Sequence, residues 1–168
     1  MIDGGVALRK LTILFFFIFC FTFLPFAEEG DTLKIEASVN PKNLSRGQEG
    51  KVILKLTLVE GLTINSQPSF TIEFSPSEVL VFAKKTFTDS DLEMEILEEM
   101  GEEHLSLKDP IEIPFTVSPD AAGGRQRLEG KINYFVCSKE EGWCLKSSSK
   151  FSVSFSIQAT SVEKDLPY

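Results

Sequence analysis

Phe151-Ser152-Val153-Ser154-Phe155-Ser156-Ile157 is the stretch that decides the fold. Four apolar side chains alternate with three serines. In an extended chain, successive side chains leave opposite faces, so this segment has one apolar face and one polar face. A helix would spread the same residues around its circumference. The period of two therefore predicts a half-buried strand. It recurs through most of the chain. Leu33, Ile35, Ala37 and Val39 alternate with polar residues, and Val52, Leu54, Leu56 and Leu58 alternate again, with Lys51, Lys55 and Thr57 among the intervening positions. Phe70, Ile72 and Phe74 form a third set, Val79 to Phe82 a short apolar run, and Ile111, Ile113, Phe115 and Val117 a further strand. Leu128, Ile132, Tyr134 and Val136 share one face of the strand that precedes the opening segment.

Turn signals separate these runs. Asn40-Pro41, Arg46-Gly47, Glu60-Gly61 and Ser75-Pro76 interrupt the pattern, and Pro110 and Pro119 bound the strand at 111–117. Pro114 inside that strand has no N–H to give a ladder, which predicts a sheet edge or a bulge there. Asp89 to His104 is the ambiguous stretch, acidic and carrying Leu92, Met94, Ile96, Leu97 and Met100. With about seven strands elsewhere, a strand with a turn at Met100-Gly101 is preferred to a short helix. His104 is expected in a solvated loop. Many short strands with regular turn signals predict an all-β domain, an immunoglobulin-like β-sandwich, over residues 28–160. Residues 161–168 are polar and expected to fray.

Residues 1–27 have a different character. Arg9 and Lys10 precede Leu11 to Phe26, an almost unbroken apolar run, and Ala27 leads into Glu28, Glu29, Gly30 and Asp31. This order predicts a secretory signal peptide. A short signal anchor is the alternative, because Pro25 stands where cleavage sites favour a small residue. The run is short for a membrane span, which takes about 20 residues. The protein is thus expected outside the cytoplasm, free or membrane-anchored. The 168-residue chain has a net charge of −8. Loss of Asp3, Arg9 and Lys10 would take this to −9. An acidic surface argues against nucleic acid and anionic lipid as partners.

Of three cysteines, Cys20 lies in the apolar run, leaving Cys137 and Cys144. With one histidine, His104, a zinc site of Cys and His ligands cannot be completed, and no metal is expected. The cysteines stand at the ends of Ser138-Lys139-Glu140-Glu141-Gly142-Trp143, read as a six-residue loop between two strands. A hairpin brings such ends within disulfide reach. A bond there has two readings. As a staple it closes a very short loop, for about 2–3 kcal/mol. As a redox switch it opens without unpacking the core. Lys139 and Lys146 favour thiolate; Glu140 and Glu141 oppose it. Trp143 either shields the sulfur of Cys144 or packs in the core.

Three stretches resemble the N-terminal periplasmic domain of DsbD-type thiol:disulfide interchange proteins. They are Gly50-Lys51-Val52 through Glu60-Gly61-Leu62-Thr63-Ile64-Asn65-Ser66, Asp109-Pro110-Ile111-Glu112-Ile113-Pro114-Phe115, and Gly130 to Leu145 with Tyr134, Cys137, Gly142 and Cys144. The resemblance covers roughly Ser45 to Ile157. It implies an immunoglobulin-like fold in the periplasm. It also implies a relay that takes electrons from a thioredoxin-like donor domain and a membrane electron transporter, here on another chain. Delivery is to a periplasmic disulfide isomerase or another thiol protein. Cytochrome maturation is an alternative destination. Cys144 would form the mixed disulfide and Cys137 resolve it, with no bound cofactor. A cap would lie at Glu99-Met100-Gly101, where Met100 either covers sulfur or packs in the core. Tyr134 and Trp143 are candidates for shielding or docking. The chain is expected to act as a monomer. The competing reading is an exported immunoglobulin-like binding module whose disulfide is purely structural.

Overall fold

The computed structural model describes residues 32–99 and 101–158. The expected signal segment, Met100 and the expected frayed tail lie outside the described residues. Twelve strands form the described part: β1 (Leu33–Asn40), β2 (Asn43–Leu44), β3 (Glu49–Leu58), β4 (Leu62–Ile64), β5 (Thr71–Phe74), β6 (Leu80–Phe82), β7 (Thr86–Thr88), β8 (Ile96–Glu99), β9 (Glu102–Leu105), β10 (Ile111–Val117), β11 (Gly124–Ser138) and β12 (Trp143–Ile157). One sheet has the order β1-β3-β10-β6. The other runs β2-β12-β11-β5-β7, with β4 also paired to β11. β8 and β9 form a separate hairpin. Two mainly antiparallel sheets whose apolar faces pack together make an immunoglobulin-like sandwich.

The alternation places the core. Val52, Leu54 and Leu56 of β3, and Ile111, Ile113, Phe115 and Val117 of β10, are buried from one sheet. Leu128, Ile132, Tyr134 and Val136 of β11 meet them from the other, with Phe151, Val153, Phe155 and Ile157 of β12. Gly130 occupies an inward position of β11, where a Cβ would come within 2.4 Å of the Phe151 ring. Its lack of a side chain lets Phe151 pack edge-on against Phe74, ring centroids 5.9 Å apart. Pro114 stands where the sequence placed it: β6 pairs only Phe115–Val117, so among the described residues β10 has no strand beside Pro114 on the side away from β3.

β12 is longer than its sequence announces. Lys146-Ser147-Ser148-Ser149-Lys150 has no apolar residue, yet it continues the ladder against Lys131–Phe135. The reason lies inside the sandwich. Ser149 is buried, and its hydroxyl shares a 3.0 Å hydrogen bond with the Tyr134 hydroxyl, which also meets Thr32 Oγ1 at 3.1 Å. The inward Ser149 thus helps satisfy a buried phenol, so the polar run remains a strand. The stretch 89–104 resolves as a turn followed by the β8–β9 hairpin. Gly101 has φ +82°, in the left-handed region, at the hairpin turn.

Candidate functional site: an outward-facing disulfide at the end of the longest hairpin

β11 and β12 pair over fifteen positions, and Cys137 stands directly opposite Cys144. Their Cα atoms are 4.1 Å apart and the sulfurs are bonded. Close opposition of this kind is typical of the non-hydrogen-bonded pairs of an antiparallel ladder, where side chains lie nearest. The strands run one residue past each cysteine, to Ser138 and Trp143. The connecting turn is therefore Lys139–Gly142, four residues rather than the six expected. Gly142 takes φ +68°, and its N–H donates to Ser138 O at 2.9 Å.

Strand parity fixes the direction of the disulfide. Leu128, Ile132, Tyr134 and Val136 face the core, so Cys137, one step on from Val136, leaves the outer face. Cys144 is offset by an odd number of positions from the inward Phe151, Val153, Phe155 and Ile157, and leaves the same outer face. The bond thus lies outside the sandwich. Its two ends differ in exposure: Cys137 is 8% exposed, while Cys144 is exposed. Part of the difference is the neighbouring strand. β4 pairs with β11 on the side away from β12, with Thr63 beside Cys137. Thr63 lies in this short strand, whose other residues, Leu62 and Ile64, pack against the core. On the outer face, Lys146 stands two residues along from Cys144.

The hairpin β8–β9 reaches this site. Asn65 follows β4 and makes an isolated bridge with His104, and Asn65 N–H donates to Phe135 O at 3.0 Å. From that attachment the hairpin extends so that Glu99 Oε2 accepts a 2.9 Å hydrogen bond from Lys139 Nζ. Lys139 belongs to the turn that joins the cysteines. That hydrogen bond, then the cation's field, holds the Glu99 carboxyl below its ordinary 4.5, and His104 adds in the same sense. The cation nearest in sequence to Cys137 is thus occupied by a carboxylate.

The other candidates fall elsewhere. Tyr134, expected as a shielding or docking residue, is 1% exposed. Its ring is in the core and presents no surface to a partner. Trp143 is half-buried against the core, and strand alternation turns it away from the face that Cys144 leaves. Its indole N–H donates to the Glu141 carboxylate. Core packing, not cover for the sulfur, is its position. Met100 lies outside the described residues, although the adjacent Glu99 reaches the cysteine turn. His104, expected in a solvated loop, is on β9 and half-buried. Its Nδ1 is buried without a hydrogen-bond partner among the described residues. Sequence reasoning missed Glu99 and Lys139 as a pair because forty residues separate them.

Fold and site together define a class: a two-sheet β-sandwich domain carrying a solvent-side cross-strand disulfide. No family model matches the chain, and no curated protein matches it. Among solved structures, the N-terminal periplasmic domain of ScsB from Proteus mirabilis is similar at 12% identity and a TM-score of 0.43, over 77% of this chain and 48% of that one. This chain spans about half the length of that domain. A cohesin module of a Clostridium perfringens family 33 glycoside hydrolase is similar at 13% identity and a TM-score of 0.39, over 76% of this chain and 96% of that one. AggA, the major subunit of aggregative adherence fimbriae type I from Escherichia coli, is similar at 11% identity and 0.37, over 75% and 95%. Sheet order and register, rather than these likenesses, define the fold.

Proposed function

We propose that this chain is an exported thiol–disulfide exchange domain. It carries reducing equivalents from a thioredoxin-like or membrane donor on another chain to periplasmic thiol proteins, through the couple Cys137–Cys144. The observation that carries the reading is the asymmetry of the bond. It lies outside the core, one cysteine exposed and the other covered. A structural staple has no use for a reachable end, whereas exchange needs one sulfur open to attack and a second within bonding distance.

The chemistry follows from that asymmetry. In the reduced protein, Cys144 thiolate attacks a partner's disulfide. A Cys144–partner bond forms, and one partner sulfur leaves as thiolate and takes a proton. Cys137 thiolate then attacks Cys144 Sγ from the opposing strand position. The Cys137–Cys144 bond forms and the second partner thiolate departs. Two electrons have passed to the partner. Attack by the donor's dithiol on Cys144, the exposed end, reverses these bonds and restores the reduced couple. The sandwich core need not move, because neither sulfur belongs to it.

The test is a pair of single variants. Cys137→Ala should form a persistent mixed disulfide when mixed with oxidised glutathione. Cys144→Ala should do so at least tenfold more slowly, because its remaining cysteine is covered. Equal rates from the two variants would remove the asymmetry and with it the assignment of roles. If neither forms a mixed disulfide, the reading gives way to an exported binding module with a structural bond.

A further inference from the structure

Strand β3 is paired fully on one side and only partly on the other. β1 accompanies it from Lys51 to Leu58. β10 accompanies it from Glu49 to Leu54 and no further. The chain leading into β10 does not continue that ladder. Its Ser106 N–H donates to Glu95 O at 2.8 Å, not to β3. Backbone groups of residues 55–58 that point away from β1 therefore meet no backbone partner among the described residues. An open strand edge is a template for another strand.

This edge opens onto a groove of about 570 Å3 between β3, β4 and β9. Buried Leu56, Ile64 and Leu105 form its floor, and Leu58, Leu62 and the 39%-exposed Leu97 stand at its rim. His104 also lines it, with the unpartnered Nδ1 described above. Lys55, Lys108 and Glu95 are its charged residues. Lys55 stands across the ladder from Glu36 and acts on that carboxylate. Lys108 has no ion pair among the described residues. In a chain of net charge −8 the groove thus keeps a cation without an ion pair in its lining.

We propose that this groove receives an extended segment of another protein, added as a strand to residues 55–58 of β3. Alternate apolar side chains of that segment sit on the leucine and isoleucine floor, and a carboxylate lies beside Lys108. The backbone decides among occupants. A helix satisfies its own amides and would leave the β3 edge open. An acyl chain has no amides to offer. Only an extended peptide supplies both the ladder and the alternating side chains. The proposal does not rest on disulfide exchange, since none of its contacts involves a sulfur.

The experiment uses the purified protein and a fluorescein-labelled peptide, Thr-Val-Thr-Val-Asp, with its two versions N-methylated at alternate peptide nitrogens. Saturable binding by anisotropy is expected, with slowed amide exchange confined to residues 55–58 and the groove. One methylated version, the one whose blocked nitrogens face β3, should bind at least tenfold more weakly than the other. Lys108→Glu, a surface change, should weaken the parent peptide three- to tenfold. No binding up to millimolar peptide, or equal binding of both methylated versions, overturns the proposal. So does indifference to Lys108→Glu. Protection of residues 55–58 that grows with protein concentration, without peptide, assigns the edge to a second copy and likewise overturns it.

Discussion

Cys137 and Cys144 share one bond but not one environment, and the difference follows from two neighbours. Thr63 on β4 pairs beside Cys137, whereas Cys144 lies on β12, whose side away from β11 meets no strand before Ser156 among the described residues. The pairing of the cysteines was legible in the sequence, because a short hairpin must bring its ends together. Which one is covered was not, because β4 comes from more than seventy residues away. Tyr134 shows the reverse failure. A tyrosine near a cysteine invites a surface role, yet its phenol finds Thr32 and Ser149 inside the sandwich. Tyr134→Phe should leave the buried Ser149 hydroxyl without that partner, destabilising the fold by about 1–3 kcal/mol. Chemical denaturation checks this, and an unchanged midpoint would show that the hydroxyl pair is idle. Gly130→Ala should also destabilise, by about 1–3 kcal/mol, because its methyl enters the Phe151 ring position.

At the scale of elements, the β8–β9 hairpin is the piece with a condition attached. It meets the cysteine turn through Glu99 and Lys139. The Glu99 carboxyl is held below 4.5, so its contribution is fully present above that value. It is lost as pH falls through the lowered folded value, when the carboxylate protonates. Amide exchange in residues 96–105, corrected for intrinsic rates, should therefore quicken between pH 5 and pH 3, by the order of a few-fold for an exposed pair. Glu99→Gln should show the fast regime already at pH 7. The same variant should speed reduction of the disulfide by a protein dithiol more than by a small phosphine, if the hairpin limits access of bulky partners. Equal acceleration of both would mean the clasp acts on the sulfur's chemistry instead. Two strands, β8 and β9, flank Gly101; the sequence foretold a strand with a turn at Met100-Gly101, because glycine marks the left-handed position. It did not foretell β4, β7 or the polar half of β12. Three-residue strands carry too few alternations to read, and Ser147 to Ser149 count as surface until the phenol opposite them is known.

For the whole molecule, the alternation of apolar residues was enough to give two sheets and a shared core, since each strand has only one face to bury. Strand order was not legible, because it depends on which loops cross the sandwich. That order separates the disulfide from the aromatic cluster around Phe74 and Phe151. Seven positions of β11, roughly 23 Å at about 3.3 Å per residue, lie between Gly130 and Cys137. Opening the bond should thus leave the core intact. Reduced protein should keep its far-ultraviolet dichroism and lose at most about 2–3 kcal/mol of stability, the loop-length value for so short a closure. Loss of the sheet signal on reduction would make the bond a structural necessity.

The reduction potential of the Cys137–Cys144 couple, measured by equilibration in thiol buffers of graded ratio, bears most directly on exchange as the function. A relay requires a value between those of thioredoxins and periplasmic oxidants, about −270 to −120 mV, and the exposed Cys144 end should let equilibrium be reached quickly. A value below about −300 mV, approached slowly, would contradict the account and mark the bond as a staple on an exported binding domain.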